Sequence, residues 1–364
     1  MIDLTDIKTI EFNITNLCNA KCPLCVRTIM IDDNNNGRGT PFIKKSIEPE
    51  LYESIAVGLG EHSKNIEASF CGTTGDAMNH PDIDEIIDIS QKYYKKLWIE
   101  SNASVKSEDW WRQLGNKRVR MRFAIDGLSD TNGLYRINTN YEKVMANAQA
   151  FLDAGGLASW KFIIFDHNEH QVEEARELAK RMGFKNFVAV PSIRFRKNEI
   201  KVKPDMYRAR INQVNDEIKK QGFVIKPSTK VNSSVVDQYK KNDATLKSEQ
   251  DVEISCRTSK EGYLFVDHWG KLWPCCYWGA SDEIKDTKWN QWYNKWQGMY
   301  GEDFNQLSIH NNIRDMLEHD LFKRWLPDSF DQKHDKCTVC ILKCVKGKLA
   351  SNKENIISET QMNG

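Results

Sequence analysis

Charge imbalance, long apolar runs and an export signal are all missing from this sequence. Fifty-two basic side chains stand against fifty-one acidic ones, a formal net charge of +1. That balance removes the electrostatic footprint of a nucleic-acid-binding surface and excludes an acidic tail. No apolar stretch is as long as a membrane span, and the start MIDLTDIKTIEFNIT has no basic segment leading into an apolar one. A cytoplasmic protein with neither a nucleic-acid nor a membrane partner is expected. No internal repeat is present.

Cysteine, by contrast, is plentiful. Ten cysteines without an export signal read as metal or redox groups, because the cytoplasm keeps thiols reduced. Cys18, Cys22 and Cys25 form one tight group, Cys71 stands alone, and six lie between Cys256 and Cys344. Two sites far apart in sequence are implied.

Hydrophobic periodicity supplies the fold class. Runs at 9–14, 66–70, 97–100, 119–125, 160–165 and 187–190 predict six strands. Between them, Ile83, Ile86, Ile87 and Tyr94 share one helical face, and Val172, Ala175, Leu178, Ala179 and Met182 share another that Gly183 ends. Strands alternating with helices predict an α/β fold, a partial (β/α)6 TIM-like barrel over 1–195 whose chemistry collects at the strands' C-terminal ends. Residues 196–253 turn Lys-, Asn- and Ser-rich, with one helix expected at 206–220, and read as a connecting region. Residues 254–364 read as a small cysteine-rich domain with few helical patterns. The aromatics of 289–300 are expected to pack that domain rather than form a stacking platform.

Cys18-Asn-Ala-Lys-Cys22-Pro-Leu-Cys25 sits on the loop leaving the first strand. Three thiolates at this spacing can hold three corners of a cubane iron–sulfur cluster and leave one iron open, the mark of a reactive rather than a structural centre. The alternative is a structural zinc site completed by His62 or His80.

A three-residue and then a two-residue gap after the first strand of a βα array resembles the signature of the radical S-adenosylmethionine (SAM) superfamily. The resemblance implies that the open iron binds SAM, whose reductive cleavage gives a 5′-deoxyadenosyl radical that abstracts a substrate hydrogen. It implies a reducing partner such as flavodoxin or ferredoxin. Leu24 occupies the usually aromatic position before the third cysteine, near the adenine. The loop Gly72-Thr-Thr74-Gly75-Asp76-Ala resembles the family's Gly-Gly-Glu-Pro loop, which binds the methionine amino group, with Asp76 replacing the Glu. Glu100-Ser101-Asn102-Ala103 stands where the family has Thr-Asn-Gly near the ribose. Phe123-Ala-Ile-Asp126-Gly127 resembles the end of its fourth strand, with Arg136 placed to meet the methionine carboxylate. Read without the resemblance, Asp126 is equally a turn residue and Arg136 a surface arginine.

Residues 267–275 read as a hairpin whose Gly270 turn presents Cys275. With Cys256 and the close pair Cys337 and Cys340, this resembles the auxiliary-cluster extension of the SPASM and twitch subgroups. The resemblance implies one auxiliary four-iron cluster on Cys256, Cys275, Cys337 and Cys340, with Cys276 and Cys344 able to exchange roles with Cys275 and Cys340. The same four thiols would also satisfy a structural zinc. Cys71 reads as a small buried hydrophobe or, with Cys276, as a catalytic hydrogen donor. Because the cluster motif begins at residue 18, no peptide-recognition domain is expected before it. That favours a small-molecule substrate such as a sugar, nucleoside or amino acid over a short peptide. Net oxidation, with the auxiliary cluster relaying an electron, is the expected outcome; epimerisation and peptide maturation are the alternatives. The alternative from another class is a non-catalytic zinc-binding interaction protein.

Overall fold

A computed structural model describes residues 2–35, 42–192, 224–228, 253–283, 291–301, 312–331, 340, 344 and 358–361. The helix expected at 206–220 and Cys337 lie outside the described residues. All six expected strands are present as β1 (Thr9–Phe12), β2 (Glu67–Phe70), β3 (Lys96–Ser101), β4 (Val119–Ala124), β5 (Leu157–Ile164) and β6 (Asn186–Pro191). Three more follow, β7 (Tyr263–Val266), β8 (Leu272–Trp273) and β9 (Ser358–Gln361). The expected α/β class is borne out.

The chain divides into two compact units. The first comprises Met1–Leu17, Met30–Trp98 and Leu246–Ala350. Its strand order is β8-β7-β1-β2-β3, with β1 parallel to both β2 and β7 and the β7-β8 hairpin antiparallel. Period-two alternation explains how β1 is used. Ile10 and Phe12 lie on the face packed by helices, where Phe12 meets Tyr52 at 4.8 Å and Phe70 at 6.3 Å between ring centroids. Tyr52 belongs to the helix Pro49–Leu59, and the helix Ile83–Tyr93 turns Ile83, Ile86 and Ile87 inward. Glu11 takes the opposite face.

The second unit comprises Cys18–Ile29, Ile99–Thr245 and Ser351–Gly364, with strand order β3-β4-β5-β6-β9. β4, β5 and β6 are parallel, and β9 closes the edge antiparallel to β6. One face is aromatic: Phe123 meets Trp111, Phe151 and Phe184, and Trp160 meets Phe184 and Phe187. The other face is charged. Glu100 bridges Lys161 at 2.6 Å and Arg122 at 3.6 Å, and although burial works against it, these cations hold Glu100 below the usual carboxylate range. The helix Val172–Met182 ends at Gly183, whose φ of 94° favours glycine, as the sequence indicates.

The cysteine-rich end is more helical than its patterning suggests. Helices occupy Arg257–Glu261, Cys276–Glu283, Gln291–Tyr300, Ile313–Leu317 and Leu326–Asp331. These are short helices held by single large aromatics rather than by repeated aliphatic faces, so periodicity has little to register. Trp278 meets Trp296 edge-on at 4.8 Å, and Tyr300 stacks on Trp325 at 4.2 Å. Trp296 and Tyr300 pack as expected; Trp289 lies outside the described residues.

Candidate active site

The three cysteines of the first group lie on the loop after β1, where Cys25 N–H donates to the Cys22 carbonyl at 3.0 Å and starts the helix Val26–Asn35. Cys22 and Leu24 are buried in an apolar wall with Ala20, Tyr135, Phe165 and Ile225, and Cys18 and Cys25 pack against it half-buried. Tyr135 and Phe165 meet at 4.4 Å. In its bare form the Cys22 thiol is pushed up to about 11 by burial, an effect that Arg136 only partly opposes. A metal centre must therefore displace that proton, as coordination of a thiol does.

Asp126 and Arg136 are neither a simple turn residue nor a solvated arginine. Asp126 is fully buried, and its carboxylate accepts from Arg136 Nε at 2.6 Å and from Ile163 N–H at 2.7 Å. Arg136 in turn reaches Cys22 Sγ at 3.9 Å. Burial works against its charge, but Asp126 and then Cys22 more than offset this, so Arg136 remains a cation beside the thiol. Gly127, at φ 148°, lets the chain leave β4 against Thr131, where a Cβ would come within 2.2 Å of its hydroxyl oxygen.

Ser101 and Asn102 close the end of β3. Ser101 Oγ accepts from Ala103 N–H at 2.9 Å, and Asn102 Oδ1 accepts from Ser104 N–H at 3.0 Å. Asn102 Nδ2 faces Cys18 Sγ at 3.6 Å. Ala103 keeps a left-handed φ of 54°. Such a residue persists only where its surroundings hold it, and Asn147 Nδ2 donates to its carbonyl at 2.8 Å.

In the first unit, the loop carrying Thr74, Gly75 and Asp76 docks on the segment just before Cys18. Gly72 has φ 58°, and a Cβ on Gly75 would stand 2.0 Å from the Thr15 carbonyl oxygen. Asp76 N–H donates to the Leu17 carbonyl at 2.8 Å, and its carboxylate accepts from Met78 N–H at 3.0 Å. Thr74 Oγ1 meets Asn13 Nδ2 at 2.6 Å. Of the histidines considered for a zinc site, His62 Nε2 meets the Ile7 carbonyl at 3.0 Å and His80 Nε2 the Ile47 carbonyl at 2.8 Å.

The second cysteine group gathers in the same unit. Cys256, Cys275, Cys340 and Cys344 line one enclosed cavity with Pro274, Trp278 and Leu326. Cys344 N–H donates to the Cys340 carbonyl at 2.7 Å, and Ser255 N–H donates to the Cys344 carbonyl at 2.5 Å. The hairpin is as expected, with Gly270 at φ 78° and the Asp267 carboxylate accepting from Trp269 N–H, Lys271 N–H and Trp273 Nε1. Burial, and then the neighbouring thiols, raise the Cys275 thiol well above its ordinary value. Among the described residues, no three His, Cys, Asp or Glu converge as ligands of one metal ion.

Cys71 and Cys276 belong to neither thiol set. Cys71 hydrogen-bonds to Glu11, which also accepts from the Tyr263 hydroxyl, and Cys71 contacts Thr73 Oγ1 at 3.6 Å. Cys276 starts its helix and is pushed up to about 12 by burial and then by Glu11. Sequence reasoning missed Glu11 and Tyr263. The signal available was Glu11 itself, a lone charge between Ile10 and Phe12 that alternation turns to the opposite face.

No protein-family model and no curated protein matches the sequence. Solved structures do match the fold. Streptococcus suis SuiB bound to precursor peptide SuiA aligns with a TM-score of 0.55 and 15% identity over 92% of this chain and 70% of SuiB. The same enzyme bound to S-adenosylmethionine gives 0.51 and 15% over 92% and 69%. The enzyme anSMEcpe with bound AdoMet and Cp18Cys peptide gives 0.52 and 13% over 96% and 92%. At 13–15% identity these likenesses show the fold: this chain shares the fold of SuiB and anSMEcpe.

Proposed function

We propose that this protein is a radical SAM enzyme carrying a reactive four-iron cluster on Cys18, Cys22 and Cys25. The observation that carries the reading is the thiol loop after β1, walled by apolar groups and faced by the half-buried Arg136 held on the buried Asp126. A cluster bound there would supply the electron that cleaves SAM to methionine and a 5′-deoxyadenosyl radical. Arg136 holds a cation where an anionic thiolate and a carboxylate need one, and Asp126 fixes the plane of that guanidinium. Asp76 supplies a carboxylate for the amino group, and Thr74 and Gly75 shape its loop. Ser101 and Asn102 would face the ribose and Leu24 the adenine.

Among the described residues Cys344 shares a cavity with Cys256, Cys275 and Cys340, which supports it as an auxiliary ligand; Cys337 lies outside them. Four thiolates satisfy a four-iron cluster and a structural zinc alike, and the reading as a cluster rests on the resemblance to the auxiliary-cluster extension. A cluster held there would accept an electron, which suits net oxidation of a small molecule; Cys71 and Cys276 would be hydrogen donors in the alternative epimerisation. The second reading, a peptide substrate, is supported by a separate observation, the peptides bound to SuiB and anSMEcpe.

The test is anaerobic reconstitution with iron and sulfide. About eight iron atoms per chain are expected, and about four when Cys18, Cys22 and Cys25 are all changed to Ala, which should also abolish formation of 5′-deoxyadenosine. A colourless protein holding stoichiometric zinc would refute the reading. With a substrate in hand, product lighter by two mass units after reaction in deuterium oxide supports oxidation, and one non-exchangeable deuterium supports epimerisation.

A further inference from the structure

His268 sits in the turn of the β7-β8 hairpin, is 1% exposed, and touches neither group of cysteines in any hydrogen bond described above. Its two ring nitrogens face two asparagines from the end of β1. Asn13 Nδ2 lies 3.2 Å from Nδ1, and Asn16 Nδ2 lies 3.1 Å from Nε2. A neutral imidazole has one donor and one acceptor nitrogen, so two amide NH2 groups cannot both donate to it. Asn16 is held by two main-chain groups, donating to the Ile43 carbonyl at 2.7 Å and accepting from Lys45 N–H at 2.9 Å. Nε2 is therefore the acceptor and Nδ1 carries the proton. The Asn13 oxygen is buried with no partner in its present orientation. Turning that amide over presents Oδ1 to both Nδ1–H and the Thr74 hydroxyl, and removes the conflict.

The groups so joined are those that set the cofactor loops. Asn16 precedes Cys18 by two residues, and Thr74 precedes Asp76 by two. The same two segments touch at Gly75 on Thr15 and at Asp76 N–H on the Leu17 carbonyl. Lateral freedom in either segment is thus limited by one ring, supplied by the cysteine-rich end of the chain. Burial, and then Lys45, hold His268 down to about 4, which favours the neutral ring.

We propose that His268 is a positioning residue for SAM binding: as the Nδ1–H tautomer it ties the hairpin that presents Cys275 to Asn13, Asn16 and Thr74, fixing the SAM loop against the segment that leads into the cluster motif. The inference rests on the functional reading above.

The test measures the dissociation constant for SAM by anaerobic calorimetry, and the change that SAM causes in the electron paramagnetic resonance signal of the reduced protein. If the wild type does not bind SAM, the functional reading fails, and that result is separate from the ones below. His268→Leu should retain the full iron content, weaken SAM about tenfold, equivalent to ~1.4 kcal/mol, and blunt the spectral change. His268→Gln, whose amide offers one donor and one acceptor, should stay within about twofold of wild type. An unchanged constant in the Leu variant, or equal losses in Leu and Gln, would overturn the assignment. Should His268→Leu not fold, Asn13→Ala carries the same test from the other side: a several-fold loss is expected, and wild-type affinity overturns the proposal.

Discussion

Replacing Gly75 with Ala adds one methyl group at a place where only main chain can yield. The new Cβ would stand 2.0 Å from the Thr15 carbonyl oxygen, 2.8 Å from its carbon and 2.9 Å from Asn16 Cα. Ordinary contact begins at 3.4 Å, so the loop must retreat by roughly 1.4 Å from the segment before Cys18. No rotamer change relieves this, because all three atoms are backbone. Retreat breaks the Asp76 N–H bond to Leu17 and the Thr74 contact with Asn13. Overpacking of this kind costs about 1 to 3 kcal/mol, which appears as a roughly fivefold to hundredfold rise in the SAM dissociation constant. Gly183→Ala is the control. Nothing lies within 4 Å of its added Cβ, and only its φ of 94° resists the change. That variant should lose about 1 kcal/mol of stability and no SAM affinity. Melting curves and anaerobic calorimetry on both proteins decide the matter. If Gly75→Ala binds SAM within about twofold of wild type, or Gly183→Ala weakens binding as much, the steric argument is wrong.

Asp76→Ala should leave both clusters intact and raise the SAM dissociation constant by roughly tenfold or more, because a carboxylate paired with an ammonium contributes about 1.5 to 3 kcal/mol; an unchanged constant moves the role elsewhere in the loop. Asp126→Ala leaves the Arg136 cation and Ile163 N–H without their buried acceptor, a loss of about 3 to 5 kcal/mol that should lower the melting temperature by roughly 5 to 15 °C. A fall of less than about 2 °C would show that the pair contributes little to the fold. Cys344→Ala should remove the auxiliary cluster's iron while Cys276→Ala retains it; iron analysis giving the reverse would reassign the fourth ligand.

Much of this protein was legible before any coordinates. The six strands, the helix ended by Gly183, the Gly270 hairpin and the two thiol groups are local in sequence, and period, turn chemistry and spacing report them directly. The tertiary structure decided which partners meet. Asp126 and Arg136 are ten residues apart, and only the buried approach of Ile163 N–H and Cys22 turns a turn residue and a lone arginine into an ion pair. Cys344 joined Cys256, Cys275 and Cys340 through chain segments that spacing cannot relate. His268 meets Asn13 across 255 positions, and Tyr263 meets Glu11 across 252. Sequence periodicity records which face of an element is buried; it holds no information about which distant polar group lies opposite. That pairing is set when β7 aligns beside β1, because the register of two strands places every side chain on them at once.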